Sequence, residues 1–247
     1  MVGGRCVPFA LIALLAAACS VESGSQVDAG GDPGEDGGSS GPDAPPGAAG
    51  LVLEFRGVPA LTASFAEDFP GELREVRLDL EDVRAVGDAA PGDERTSRDE
   101  LRLEWWGMGD DDEGEDAPNN QPVVVTFSEA PPGLYSNVFA ELKDYRLSGQ
   151  VEVAPDDDHD FEIEDSPSLA ISIPLGGVTL EAGETRRVSI DVSCLAAVTE
   201  IRWDEVTPDG EGDLHVTSSS SQIGSIRESM QDAFTYQADD EVSSGSL

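Results

Sequence analysis

Leu169-Ala170-Ile171-Ser172-Ile173-Pro174-Leu175 alternates a large apolar side chain with another residue across seven positions. In an extended chain successive side chains point to opposite faces. Leu169, Ile171, Ile173 and Leu175 therefore line one face of a strand packed against a core. Pro174 lacks the N–H that a central strand needs, which places it at a sheet edge or a strand end. The same period of two recurs on both sides. It runs through Leu51, Leu53 and Phe55; Val76, Leu78 and Leu80; Leu101, Leu103 and Trp105; and Val123, Val125 and Phe127. It continues through Val138, Ala140 and Leu142, then Val151 and Val153, then Val188, Ile190, Val192 and Cys194. Residues 73–86 also fit a helix through Leu73, Val76, Leu80 and Val83, but Leu78 breaks that face and the strand is preferred. Pro131-Pro132-Gly133, Gly176-Gly177, Ala182-Gly183 and Pro208-Asp209-Gly210 supply the backbone angles that chain reversals need. These features predict an all-β fold, a single antiparallel β-sandwich over residues 51–206.

Downstream, 207–247 reads as an acidic and Ser-rich linker followed by one short α-helix. Thr217 to Ser221 looks like a flexible lead, and Ser225-Ile226-Arg227-Glu228 has the spacing of a capping box. Ile226, Met230, Ala233 and Phe234 then share a helical face, predicting a helix over about 226–236 and a disordered tail from 237.

The N-terminus carries an address. Arg5 precedes an apolar run from Val7 to Ala18, too short to span a bilayer but laid out like a secretory signal peptide over 1–18. The run ends in Ala16-Ala17-Ala18-Cys19, which resembles the lipobox of bacterial lipoproteins, with Ala16 where that family most often has Leu. The resemblance implies that Cys19 is lipidated and becomes the first residue of the mature chain. An ordinary Ala-x-Ala cleavage site is the alternative. Residues 20–50 hold nine Gly, four Pro and six acidic residues without a basic or aromatic one. Such a segment cannot bury enough apolar area to offset its ordering entropy, so 19–50 reads as a disordered stalk behind the anchor. A lipidated cysteine on such a stalk resembles surface lipoproteins of Gram-negative bacteria. That implies membrane attachment through lipid and a place in the cell envelope, at the outer membrane or cell surface.

Pro131-Pro132-Gly133-Leu134-Tyr135, followed by the strand through Leu142, resembles the Pro-x-Gly-x-Tyr hairpin of an uncharacterised β-sandwich domain of prokaryotic lipoproteins. Prealbumin-like and carbohydrate-binding-like sandwiches enter strands in the same way. The resemblance covers about residues 51–206 and implies a fold and a location. It transfers no catalytic residue.

Charge excludes whole classes of partner. The 247 residues include 51 Asp and Glu against 14 Lys and Arg, a formal charge of −37. Phosphate recognition needs cations to displace counterions, so nucleic acid is not a partner. Lys143 is the single lysine and no glycine-rich phosphate loop surrounds it. Three scattered cysteines form neither a disulfide framework nor zinc spacing, and Cys194 reads as a small core residue. His159, within an acidic hairpin tip, and His215, in a short strand, read as solvated side chains, so no catalytic residue is assigned.

What remains is acidic loops and one tryptophan. Asp110 to Asp116, Asp156 to Asp160 and Asp209 to Asp213 each cluster carboxylates. Asp209, Glu211 and Asp213, and likewise Asp156, Asp158 and Asp160, have the alternate spacing of a cation loop, with Ca²⁺ as the ion, because calcium takes 6–8 oxygen ligands. Solvated, mutually repelling carboxylates are the competing reading. Trp105 is in phase with Leu101 and Leu103, so Trp106 faces away from the core and is the candidate sugar platform. The sequence thus points to a non-catalytic, membrane-anchored lipoprotein displaying a binding or structural module for a glycan or envelope protein. A cation-dependent carbohydrate-binding or adhesion module is one alternative, and an envelope hydrolase with paired carboxylates another.

Overall fold

A computed structural model describes residues 50–58, 70–88, 90–107, 119–155 and 157–238. Cys19, the signal, the stalk, Asp156, the acidic run 110–116 and the tail from 239 lie outside these residues. The described strands are β1 (Gly50–Gly57), β2 (Gly71–Gly87), β3 (Ser97–Trp106), β4 (Val123–Phe127) and β5 (Gly133–Ala154). They continue with β6 (Asp157–Asp165), β7 (Leu169–Leu180), β8 (Thr185–Val192), β9 (Leu214–Thr217) and β10 (Phe234–Gln237). Two short helices, α1 (Leu195–Thr199) and α2 (Ile223–Gln231), complete the order.

The strands form two sheets, one in the order β10-β8-β1-β4 and the other β3-β2-β5-β6-β9, with β7 pairing the first half of β5. The alternating side chains behave as their period requires. Leu51, Leu53, Phe55, Leu78, Leu103, Trp105, Ile163, Ile173 and Ile190 all lie in one buried core. Residues 73–86 are strand, and β2 and β5 pair along nearly their full lengths. Val138 to Leu142 and Val151 to Val153 belong to the single strand β5, which pairs β7 from Gly133 to Leu142 and β6 from Tyr145 to Ala154. Bulges bend the long pair, and two glycines allow the closest approaches. A Cβ on Gly149 would lie 2.0 Å from the Glu72 carbonyl oxygen, and one on Gly87 1.8 Å from that of Leu134.

Several expectations change. The sandwich is not purely antiparallel, since β1 pairs β8 and β6 pairs β9 in parallel. Gly176 and Gly177 do not reverse the chain. At φ +63° and +93° they form a bulge within β7, which runs on to Leu180. Pro174 does sit on an edge strand, because among the described residues β7 pairs β5 alone. Pro131-Pro132-Gly133 joins β4 in one sheet to β5 in the other. The buried Tyr135 donates its hydroxyl to the Pro131 carbonyl at 2.7 Å and fixes that corner.

The largest correction concerns the C-terminus. The folded body does not stop at 206, because β9 joins one sheet and β10 the other. The segment Thr217 to Ser221 holds a tight turn, in which Ser220 N–H donates to the Thr217 carbonyl at 2.9 Å. The helix covers 223–231 rather than about 226–236. Ser225 lies inside it and donates to the Gln222 carbonyl, so the capping box does not form. Ala233 and Phe234, in phase with the helix, are taken instead by β8: Ser193 N–H donates to the Ala233 carbonyl at 2.9 Å and Phe234 pairs Val192. Strand pairing overrides helical periodicity here. Cys194 lies just beyond β8, at the start of α1.

Candidate functional site

The parallel pairing of β6 with β9 brings the 157–160 and 209–213 acidic stretches to one place. Its register sets Phe161 opposite Leu214 and Glu162 opposite His215. In Asp213-Leu214-His215 only Leu214 is buried, so the two polar residues fall on the outward face. The Pro208-Asp209-Gly210 reversal returns the chain to this face. Asp209 Oδ1 accepts the N–H groups of Glu211, Gly212 and Asp213 at 2.8, 2.9 and 3.0 Å. Those backbone bonds, the Glu211 and Asp213 amides first, hold its carboxyl below the usual range. Its other oxygen meets His215 Nε2 at 3.3 Å.

Asp209, Asp213 and His215 each offer one donor atom, and the three atoms lie within 4.8 Å of one another. Glu211, expected as a ligand, is not in this group; its contribution is the backbone N–H that orients Asp209. His215 takes its place. The spacing Asp-x-His carried that signal, because a period of two puts both side chains on one strand face.

His159 ties the second acidic stretch to the first. Its Nδ1 lies 2.7 Å from the Gly212 carbonyl and its Nε2 3.3 Å from Asp157 Oδ1. The Gly212 carbonyl, with the carboxylate of Asp157, raises its pKa. Among the described residues Asp158 and Asp160 join no metal-ligating cluster, and Asp156, expected beside them, lies outside those residues. Asp160 pairs Arg74 at 3.3 Å, while Asp158 is an exposed strand residue opposite Glu152. Arg74 also meets Glu72 and, at 3.3 Å, Gln150. Arg74, Asp160, Glu162, Asp213 and His215 border a cleft of about 210 Å³ beside the three-residue cluster. A larger depression of about 520 Å³ carries Asp79, Arg102 and Lys143 among its walls. Its two cations are already engaged, Arg102 by Asp79 at 2.6 Å and Lys143 by Glu141 at 2.8 Å.

Trp106 is half-buried on the outward face of β3. Four strand steps separate β3 from β9, roughly 19 Å, so Trp106 does not share the histidine cleft. Cys194 is buried and its thiol is pushed up to about 12 by burial, which leaves it an inert core group.

Two charged groups, Glu54 and Asp165, are buried among the described residues. Asp165, 3 % exposed, accepts two bonds from Arg227 of α2, at 2.7 and 2.9 Å, and one from the Tyr145 hydroxyl at 3.3 Å. Burial pushes the Tyr145 pKa up, and the Asp165 carboxylate adds to that shift. This bidentate clamp pins α2, which carries the buried Ile226 and Met230, between β9 and β10 in the chain. No described helix is long and apolar enough to cross a membrane. No protein-family model, no curated protein and no solved structure matches this chain.

Proposed function

We propose that this chain is a lipid-anchored protein of the bacterial cell envelope whose β-sandwich is a non-catalytic binding module. In this reading the ligand site is the cleft beside Asp209, Asp213 and His215, and a divalent cation forms part of the contact. The observation that carries it is the convergence of two acidic stretches and both histidines at one end of one sheet. Two carboxylates and an imidazole are a mixed oxygen and nitrogen donor set. That set suits Zn²⁺ or Mn²⁺ better than the all-oxygen shell that Ca²⁺ prefers. Three protein donors leave a coordination position for an oxygen of a ligand. A hydroxyl-bearing ligand such as a glycan fits that position, and Arg74 stands on the same cleft wall.

The anchor reading rests on Ala16-Ala17-Ala18-Cys19 and the Gly, Pro and Asp-rich stretch behind it. Several acyl chains would hold the chain at a membrane, since a single chain binds only marginally. Labelled palmitate should enter the wild-type chain and not Cys19→Ala; label retained by the variant overturns the anchor. The binding module is tested on a glycan array with Zn²⁺ present. Binding should fall at least tenfold in His215→Ala, and equal binding by both proteins removes the cleft from the account. Trp106→Ala on the same array decides whether the tryptophan contributes a second contact.

A further inference from the structure

We infer that the free edge of β4 is a self-association edge, at which two copies of this chain pair antiparallel about Val125. Among the described residues β4 pairs β1 alone and ends the four-stranded sheet. On β1, the Gly50 N–H donates across to β8, to the Glu184 carbonyl at 2.9 Å. Backbone groups alternate in direction along a strand, so Leu51, Leu53 and Phe55 bond toward β4, to Phe127, Val125 and Val123. The N–H and C=O groups of Val124 and Thr126 therefore point away from the sheet, and no backbone bond reaches them from another described residue.

The side chains of this edge differ from those on the other edges. Val123-Val124-Val125-Thr126-Phe127 contains no charge, Pro or Gly, and four of its five residues are β-branched. Val124 is 49 % exposed. By contrast, edge strand β3 carries Arg98, Asp99, Glu100, Arg102 and Glu104, and β7 carries Pro174 and the Gly176-Gly177 bulge. Such features blunt an edge against pairing. β9 and β10 are only four residues long.

The occupant that fits is a second copy. An antiparallel two-fold at Val125 sets Val124 opposite Thr126 of the other copy and Val123 opposite its Phe127. The outward groups of Val124 and Thr126 then form two reciprocal pairs, four hydrogen bonds in all. Gln121 falls opposite Glu129, so no two like charges meet along the seam. This matters in a chain of charge −37, whose copies repel everywhere else. Five residues per copy make a small interface, so the association is weak and strengthens as salt screens the repulsion.

Sedimentation velocity on the chain from residue 20 to 247, which keeps every described residue, tests the inference. The dimer fraction should rise with concentration and between 0.05 and about 1 M NaCl, where the Debye length falls to roughly 3 Å. Thr126→Pro removes one outward N–H and leaves the β1 ladder intact, and should weaken dimerisation at least tenfold. Val124→Lys places charge at the seam and should do the same, so a failure of the proline variant to fold leaves the test standing. A wild type that stays monomeric at millimolar concentration in high salt overturns the inference. So does a folded Thr126→Pro or Val124→Lys that dimerises like the wild type.

Discussion

Asp165 and Asp209 show two ways in which this acidic chain stabilises a carboxylate. Asp165 is sealed in the core, and its charge is met by a side chain brought from elsewhere, Arg227 on α2. Asp209 is exposed, and its charge is met locally by three backbone N–H groups of its own loop. The difference teaches where function can sit. A buried carboxylate with both oxygens taken holds the fold together, whereas Asp209 keeps one oxygen facing His215 and is available to a ligand.

The comparison predicts unequal costs. Arg227→Ala leaves Asp165 buried and without its cation, and should lower unfolding free energy by about 3 kcal/mol, the low end for a broken buried pair because Arg227 is partly exposed. Urea denaturation checks it. A loss smaller than that of Asp209→Ala would break the comparison. Asp209→Ala removes only an exposed, local turn anchor and should cost clearly less than Arg227→Ala in the same assay, while abolishing cation binding. Tyr145→Phe sharpens the buried side. It deletes one hydroxyl donor and leaves the Arg227 clamp, for a cost of about 1 kcal/mol in the same assay.

A pH profile separates the groups further. Burial works against Glu54, but Arg187 and Arg56 outweigh it and hold its carboxyl below the ordinary 4.5. Its contribution is therefore present above pH 4.5 and lost as pH falls through the depressed folded value. His159 is raised from 6.5, first by the Gly212 carbonyl, so its contribution is present below pH 6.5 and lost as pH rises through the folded value. Both act together between about pH 4.5 and 6.5, and thermal unfolding should give its highest midpoint there. A midpoint that does not fall between pH 6 and 8 would deny His159 its role. The smallest effect concerns salt: screening of a −37 chain should raise the midpoint by a few degrees between 0.05 and 0.5 M NaCl. A flat response would show that self-repulsion of the acidic surface does not limit stability.

The all-β architecture was legible because its strands repeat every two residues with one face buried. Leu101 to Trp105 and Leu169 to Leu175 fall where that period puts them, whereas β1 is buried on both faces, with Val52 and Glu54 covered as well as Leu51, Leu53 and Phe55. Pairing was not legible. The parallel partners β1 with β8 and β6 with β9 are far apart in the chain, and no local pattern encodes them. The C-terminal segment was misread for a related reason. Ala233 and Phe234 fit the face of a helix, and only the presence of β8 turns them into a strand. The site was half legible. Asp209 and Asp213 stood out as loop carboxylates; Asp213-x-His215 already put His215 on the same strand face as Asp213, but its nearness to Asp209 follows only from the loop folding back. Asp165 and Arg227, 62 residues apart, left no mark in the sequence.

The proposed role of Asp209, Asp213 and His215 is to bind a divalent cation. Calorimetric titration of Zn²⁺ into the chain from residue 20 to 247, with Ca²⁺ as the parallel titrant, tests it directly. One saturable Zn²⁺ site, weaker binding of Ca²⁺, and loss of the Zn²⁺ signal in His215→Ala with folding retained are expected. Absence of saturable heat, or an unchanged isotherm in His215→Ala, would contradict it.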